Sequence, residues 1–260
     1  MKGFRAVFMR EMYGFFASPI FYVMGTIFLV LCGYFFYTSV AYFSLISFQA
    51  AQNPQMGAQV NLNELVIRPF FDDVSIILLL MVPMLTMRLL AEEKKNGTIE
   101  LLLTYPIPDW AVVMGKFLAA LAVVAGLLAL TLIDMLLLSW VGNPEWGPVL
   151  SGYLGLILLA SGFIALGLFV SALTENQIIA AVSGFGCLLM FWIIGWIGSV
   201  SGPGIGPVVR YLSLLEHQDS LAKGVLDSRD LIFYLSFSAF FLFMTLRYLD
   251  SQKIRGAGGA

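Results

Sequence analysis

Apolar and polar positions divide this chain into six long apolar runs separated by shorter polar connections. The runs cover residues 19–46, 74–90, 111–141, 150–172, 178–200 and 231–248. Each meets or approaches the ~20 residues an α-helix needs to cross the hydrocarbon of a bilayer. None shows the strict every-second-residue alternation of a half-buried strand. The pattern predicts an all-α polytopic membrane protein with six transmembrane helices in one domain. The second run is the shortest and contains Pro83, which predicts a kink or a partly unwound segment, because proline lacks the N–H of the helical ladder.

Ahead of the first run, Phe4, Val7, Phe8, Met12 and Phe15 recur at helical spacing, while Lys2 and Arg10 fall on the other side. This predicts an amphipathic helix over 1–18, lying in the membrane interface with its basic residues toward the headgroups. A plain extension of the first span fits the periodicity as well. Glu11 projects toward the apolar stripe and needs either water or a basic partner. Ser18 and Pro19 suit the junction, serine as cap and proline at the first helical position. The run that follows is far longer than the about 7–15 apolar residues of a signal peptide, so it reads as an uncleaved first span.

Composition agrees. Of 260 residues, 60% are hydrophobic and 12% charged, against about 25% charged in ordinary soluble domains; the mean hydropathy is +0.90. A net charge of -2 offers no basic face to nucleic acid. With the first residue inside, ten basic side chains lie inside: Lys2, Arg5, Arg10, Arg88, Lys94, Lys95, Lys116, Arg247, Lys253 and Arg255. Four lie outside: Arg68, Arg210, Lys223 and Arg229. The positive-inside rule then predicts that both termini are cytoplasmic. Of the outer segments, 49–73 reads as polar with a short helix in NLNELVIRPFFDD. Segment 201–230 begins with the break SGPGIGP and continues with helical spacing.

Chemistry is sparse. Nothing matches the phosphate-binding loop GxxxxGK[ST]. The lone His217 reads as part of a solvated loop, so no Ser/His/Asp set and no multi-histidine metal site is expected. Asp72 and Asp73 have no evident partner acid. Cys32 and Cys187 read as small buried apolar residues. Within the spans, Lys116 lies near the inner end of the third run and is expected to snorkel. Asp134, toward the outer side, reads as a packing or interfacial residue rather than an ion-coupling site. No enzyme activity and no cofactor are expected in the chain, and its energy should come from another subunit.

The connection between the second and third runs stands out. In LLAEEKKNGTIELLLTYPIPDW, residues 89–110, the second helix is expected to run through Arg88 and Glu92 to Lys95 and to stop at Asn96-Gly97. Thr98 can cap a short new helix, with Glu100 favoured in its first turn. Pro106 and Pro108 then end it, and Asp109 can cap the third span. Leu101, Leu102 and Leu103 would wrap most of one turn. Either they rest on the membrane or they seat in a partner's groove.

EEKKNGTIELLLTYPI closely resembles the cytoplasmic signature of ABC-2 type permeases, and SALTENQIIA (171–180) resembles that family's second cytoplasmic turn. FFASPIFYV is similar to its junction between connecting helix and first span. GNPEWGPVLSGYLGL and HQDSLAKGVLDSRDLIFYLS resemble permeases of the gliding-motility GldF type, with NosY more distant. The resemblance spans essentially the whole chain. It implies a transmembrane subunit of the bacterial cytoplasmic (inner) membrane, paired with a second permease subunit, as homodimer or heterodimer, and with ABC ATPase subunits that bind the ATP and magnesium. A GldG-like subunit with an extracytoplasmic domain is a further implied partner. Glu92, Glu93, Gly97, Thr98, Glu100 and Leu101 match the ATPase-coupling signature, with Leu102 and Leu103 completing its leucine triplet. Thr174, Glu175, Asn176 and Gln177 match the second contact turn.

In the fifth run, Ala180 and Gly184 form a small-xxx-small pair that permits close helix approach, and Trp192 belongs to an aromatic stretch beyond it. These, with Pro83, are candidates for a pathway or subunit interface, or for ordinary packing. Two further readings stay open: an ATPase-driven scaffold of an envelope or motility machine that moves no solute, and an ion-coupled carrier, which the nearly uncharged spans disfavour.

Overall fold

The computed structural model describes residues 2–52, 61–98, 108–200 and 206–257. All described elements are helical. In order they are α1 (Lys2–Ala17), α2 (Pro19–Gln52), a π-helical turn (Asn63–Ile67) leading into α3 (Arg68–Thr86), α4 (Ala91–Lys95), α5 (Asp109–Val141), α6 (Trp146–Leu173), α7 (Gln177–Val200), α8 (Gly206–Tyr211), α9 (Leu214–Ala222) and α10 (Ser228–Ala257). Among the described residues, six helical segments are long and apolar enough to cross a bilayer: Pro19–Gln52, Asn63–Lys95, Asp109–Trp140, Trp146–Leu173, Gln177–Ile197 and Ser228–Gln252.

The second segment differs most from expectation. Its helix begins well before Val74, because NELVIRPFF is part of the bundle rather than a separate surface helix: Val66, Ile67, Phe70 and Phe71 are fully buried. Pro69 has no N–H and its ring would crowd the carbonyl four residues back. The wide π turn just before it, with Arg68 N–H bonded to Asn63 O, relieves that crowding. At the other end α3 stops at Thr86, and residues 87–90 form a turn before α4. The expected continuous helix to Lys95 is therefore broken three residues after Pro83. The stop at Asn96-Gly97 is present, with Gly97 at φ +67, a conformation that favours glycine.

α6 is apolar on every side and mostly buried, leaving Leu150, Leu154 and Ile157 exposed, as suits a central helix of a membrane bundle, and packs against α3, α5, α7, α9 and α10. Its glycines admit the neighbours. A Cβ on Gly152 would stand 2.5 Å from Phe71 Cδ2, and one on Gly167 would stand 2.8 Å from Thr86 Cβ. Both neighbours are buried and lie on α3. Gly167→Ala should therefore overpack the α3–α6 contact and destabilise the protein by about 1–3 kcal/mol, read as a lower melting temperature in detergent, whereas Gly186→Ala, which meets nothing within 4 Å, should leave it unchanged. α2 is the opposite case: Tyr22, Ile27, Val30, Tyr37 and Phe48 are among its many exposed side chains.

α1 does not present its apolar stripe to lipid alone. Val7 is buried, and a Cβ on Gly115 of α5 would stand 2.9 Å from Val7 Cγ1. The missing side chain at Gly115 lets α1 lie directly on α5. Asp134 is half-buried on α5. Cys32 is buried as expected, but Cys187 is exposed on the outward face of α7.

Candidate functional site

α1, α4, the start of α5, the α6–α7 connection and the last turns of α10 gather at one end of the bundle. Lys116 of α5 is the hub: its Nζ lies 2.8 Å from Glu11 Oε1 of α1 and 3.1 Å from Glu93 Oε1 of α4. Arg10 pairs with Glu11 at 2.8 Å and also with Glu93. The Lys116 side chain is 2% exposed, against 16% for Glu11 and 14% for Glu93. The expected snorkelling does not occur, because two carboxylates brought in from α1 and α4 satisfy the ammonium where it stands. Glu11 thus finds the basic partner its position demanded. Burial raises its pKa, but Lys116 and Arg10 lower it more, leaving the carboxyl below the usual glutamate range.

A second device holds the break between α3 and α4. Ser171 Oγ of α6 accepts hydrogen bonds from Leu90 N at 3.1 Å and Ala91 N at 3.0 Å, and donates to Met87 O at 3.1 Å. The N-terminal amides of a helix have no intrahelical acceptors, and here a serine from another helix supplies one. Arg88 donates to Ser18 Oγ at 3.0 Å, tying the same turn to the α1–α2 junction. Lys94 Nζ lies 3.4 Å from Tyr248 Oη of α10.

The sequence-derived residues separate into two kinds. Glu93 is turned inward onto Lys116, while Glu92 is 42% exposed beside Arg88. Thr98 Oγ1 donates to Glu93 O at 3.2 Å, sealing the end of α4. Glu100, Leu101, Leu102 and Leu103 lie outside the described residues. In the other turn Thr174 Oγ1 accepts from Asn176 N at 3.1 Å, and Asn176 Oδ1 accepts from Ile178 N at 2.9 Å, capping α7. Glu175 is exposed and Gln177 half-buried. A cleft of about 390 Å³ lined by Lys95, Glu175, Asn176, Gln177 and Ile178 joins the two turns. Ala180 and Gly184 are both buried and face the same chain: a Cβ on Gly184 would stand 3.9 Å from Pro83 Cβ of α3. Trp192 is buried at the far end of α7.

At that far end, His217 is buried rather than solvated. Its Nδ1 lies 2.6 Å from Asp230 Oδ1 and its Nε2 donates to Tyr211 O at 2.9 Å, with the ring stacked 4.0 Å from Phe233. Ser220 donates to Asp230 rather than to the imidazole. A Ser/His/Asp set therefore does exist in space, against expectation. It is wired to join α8 and α9 to α10, because the histidine has no hydroxyl to activate.

A helical bundle with six segments long and apolar enough to span a bilayer, and charge confined mostly to its two ends, is a multi-pass membrane protein. The model of the ABC-2 family transporter protein matches residues 5–246, and the chain belongs to that family. It is thus a membrane permease subunit of an ABC transporter, a setting that implies an ABC ATPase partner. No curated protein matches the chain.

Proposed function

We propose that the α1 end is cytoplasmic and receives the ATPase subunit on the turns around 91–103 and 174–177, so that ATP hydrolysis in the partner drives export or conformational work through this chain. The chain itself is not an enzyme; ATP and magnesium belong to the ATPase. The observation that carries this reading is the cleft joining Lys95 to Glu175, Asn176 and Gln177: the two stretches that resemble the family's contact turns are neighbours in the fold. The ten-to-four division of Lys and Arg favours the same orientation. Motion of a bound ATPase would pass from α4 through Glu93 and Lys116 to α1 and α5, shifting packed helices as rigid elements. A bacterial inner membrane, a second permease subunit, and a role of the GldF type with a GldG-like partner follow from the sequence resemblance.

Co-expression with the ATPase subunit and affinity purification in mild detergent tests the reading. Leu102→Asp and Glu100→Arg should each reduce recovered ATPase at least tenfold while membrane insertion stays normal. Wild-type recovery and wild-type stimulated ATPase activity in both variants would overturn it.

A further inference from the structure

At the end opposite α1, a cavity of about 370 Å³ opens between α7, α8 and α9, with Trp192, Trp196, Arg210, Ser213, Glu216 and Asp219 among its walls. Its volume falls in the range of small-molecule sites, about 300–1,000 Å³. The walls carry both signs of charge, unequally engaged. Asp219 is held by Arg68 at 2.6 Å and Lys223 at 2.7 Å. Arg210 and Glu216 have only each other among the described ion pairs, 3.1 Å apart and each about half exposed. Such an exposed pair is weak and can open around a ligand. A ligand of one sign would leave one partner stranded, whereas a ligand with both signs satisfies the guanidinium and the carboxylate together.

Two further features point to an occupant. Ser213 is fully buried and its hydroxyl has no hydrogen-bond partner among the described residues, although buried polar groups are ordinarily paired. Gly195 opposite makes room for it: a Cβ there would stand 2.5 Å from Ser213 Oγ. Trp192 and Trp196, one turn apart on α7, bring indole rings to the same walls, and an ammonium over an indole face is attracted by the ring quadrupole. Trp196 is 66% exposed, and the next residue on α7, Ile197, is exposed as well. An apolar chain leaving the cavity would therefore meet an apolar surface at the level where tryptophan marks a membrane boundary.

We propose that this cavity binds the head of a zwitterionic amphiphile, an ammonium and a phosphate a few bonds apart as in phosphatidylethanolamine. The phosphate sits at Arg210, where a turn of the Ser213 side chain away from Gly195 brings its buried hydroxyl to it, and the ammonium lies between Glu216 and the tryptophans. The site lies at the far end of the bundle from the ATPase-docking turns and does not depend on that reading. The test is titration of the delipidated chain in maltoside detergent with dihexanoyl phosphatidylethanolamine, dihexanoyl phosphatidylglycerol and free phosphoethanolamine, followed by native mass spectrometry. Phosphatidylethanolamine should bind at least tenfold more tightly than phosphatidylglycerol. Arg210→Gln and Glu216→Gln, both on exposed side chains, should each remove most of that preference with no change in melting temperature. Phosphoethanolamine binding as tightly as the lipid would support the site and make its ligand a soluble zwitterion. Equal binding of the two lipids, or an undiminished preference in both variants, would overturn the proposal.

Discussion

Lys116→Met is expected to destabilise the protein by about 3–5 kcal/mol, the usual cost of removing one partner from a buried ion pair. Without the ammonium, Glu11 and Glu93 face each other across a nearly closed space, with only the half-exposed Arg10 between them. α1 should come away from α5, since this cluster and the Val7–Gly115 contact join them. The check is a melting curve in detergent together with amide exchange over residues 2–17. A melting temperature within about 2 °C of wild type would show that the cluster is not a structural hinge pin. Neutralising all three groups, Glu11→Gln, Glu93→Gln and Lys116→Met, should recover most of the loss, because a well-packed neutral set avoids the desolvation of buried charge. The same cluster predicts a pH dependence. The Glu11 pKa is lower folded than unfolded, so its contribution is complete above the unfolded value. It is lost as pH falls through the folded one. Acid should loosen α1 before it melts the spans.

Ser171→Ala should cost about 2–4 kcal/mol, since one hydroxyl serves Leu90 N, Ala91 N and Met87 O, and each orphaned buried group is worth about 1–3 kcal/mol. The effect should be local. Exchange at the amides of Leu90 and Ala91 should rise at least tenfold, while the middle of α6 stays protected. An unchanged exchange pattern would mean that packing alone holds the α3–α4 turn. If the ATPase subunit does act on α4, this variant should also retain the partner yet transmit its motion poorly, because α4 would no longer be tied to α6.

How much was legible follows from the range over which each interaction acts. Spans betray themselves locally, since twenty consecutive apolar residues are visible without any neighbour. Five of the six apolar runs lie each within one observed helix, the second runs past the end of α3 into the 87–90 turn, and the stop at Gly97 is equally local. Glu11 announces a need for a cation, but beside the adjacent Arg10 its buried partner lies 105 positions away, and nothing in the spacing singles out Lys116. Ser171 sits 81 positions from Leu90 and reads as one more small residue at a helix end. His217 was misread for the same reason: in sequence it sits among polar residues, while in the fold Phe233, Tyr211 and Asp230 close over it.

The amino-acid sequence by itself thus determined the class of the protein: how many helices cross the bilayer, where the charged connections lie, and which side gathers Lys and Arg. It did so because transfer into hydrocarbon depends on composition over one contiguous stretch. Only the tertiary structure decided the rest. Glu93 turns inward and Glu92 outward, and Gly184 faces Pro83 of α3. Lys95 shares a cleft with the 174–177 turn, and an arginine, a glutamate and two tryptophans meet at the far end. Those outcomes depend on which helix faces meet, and close packing sets that only when the whole bundle has formed.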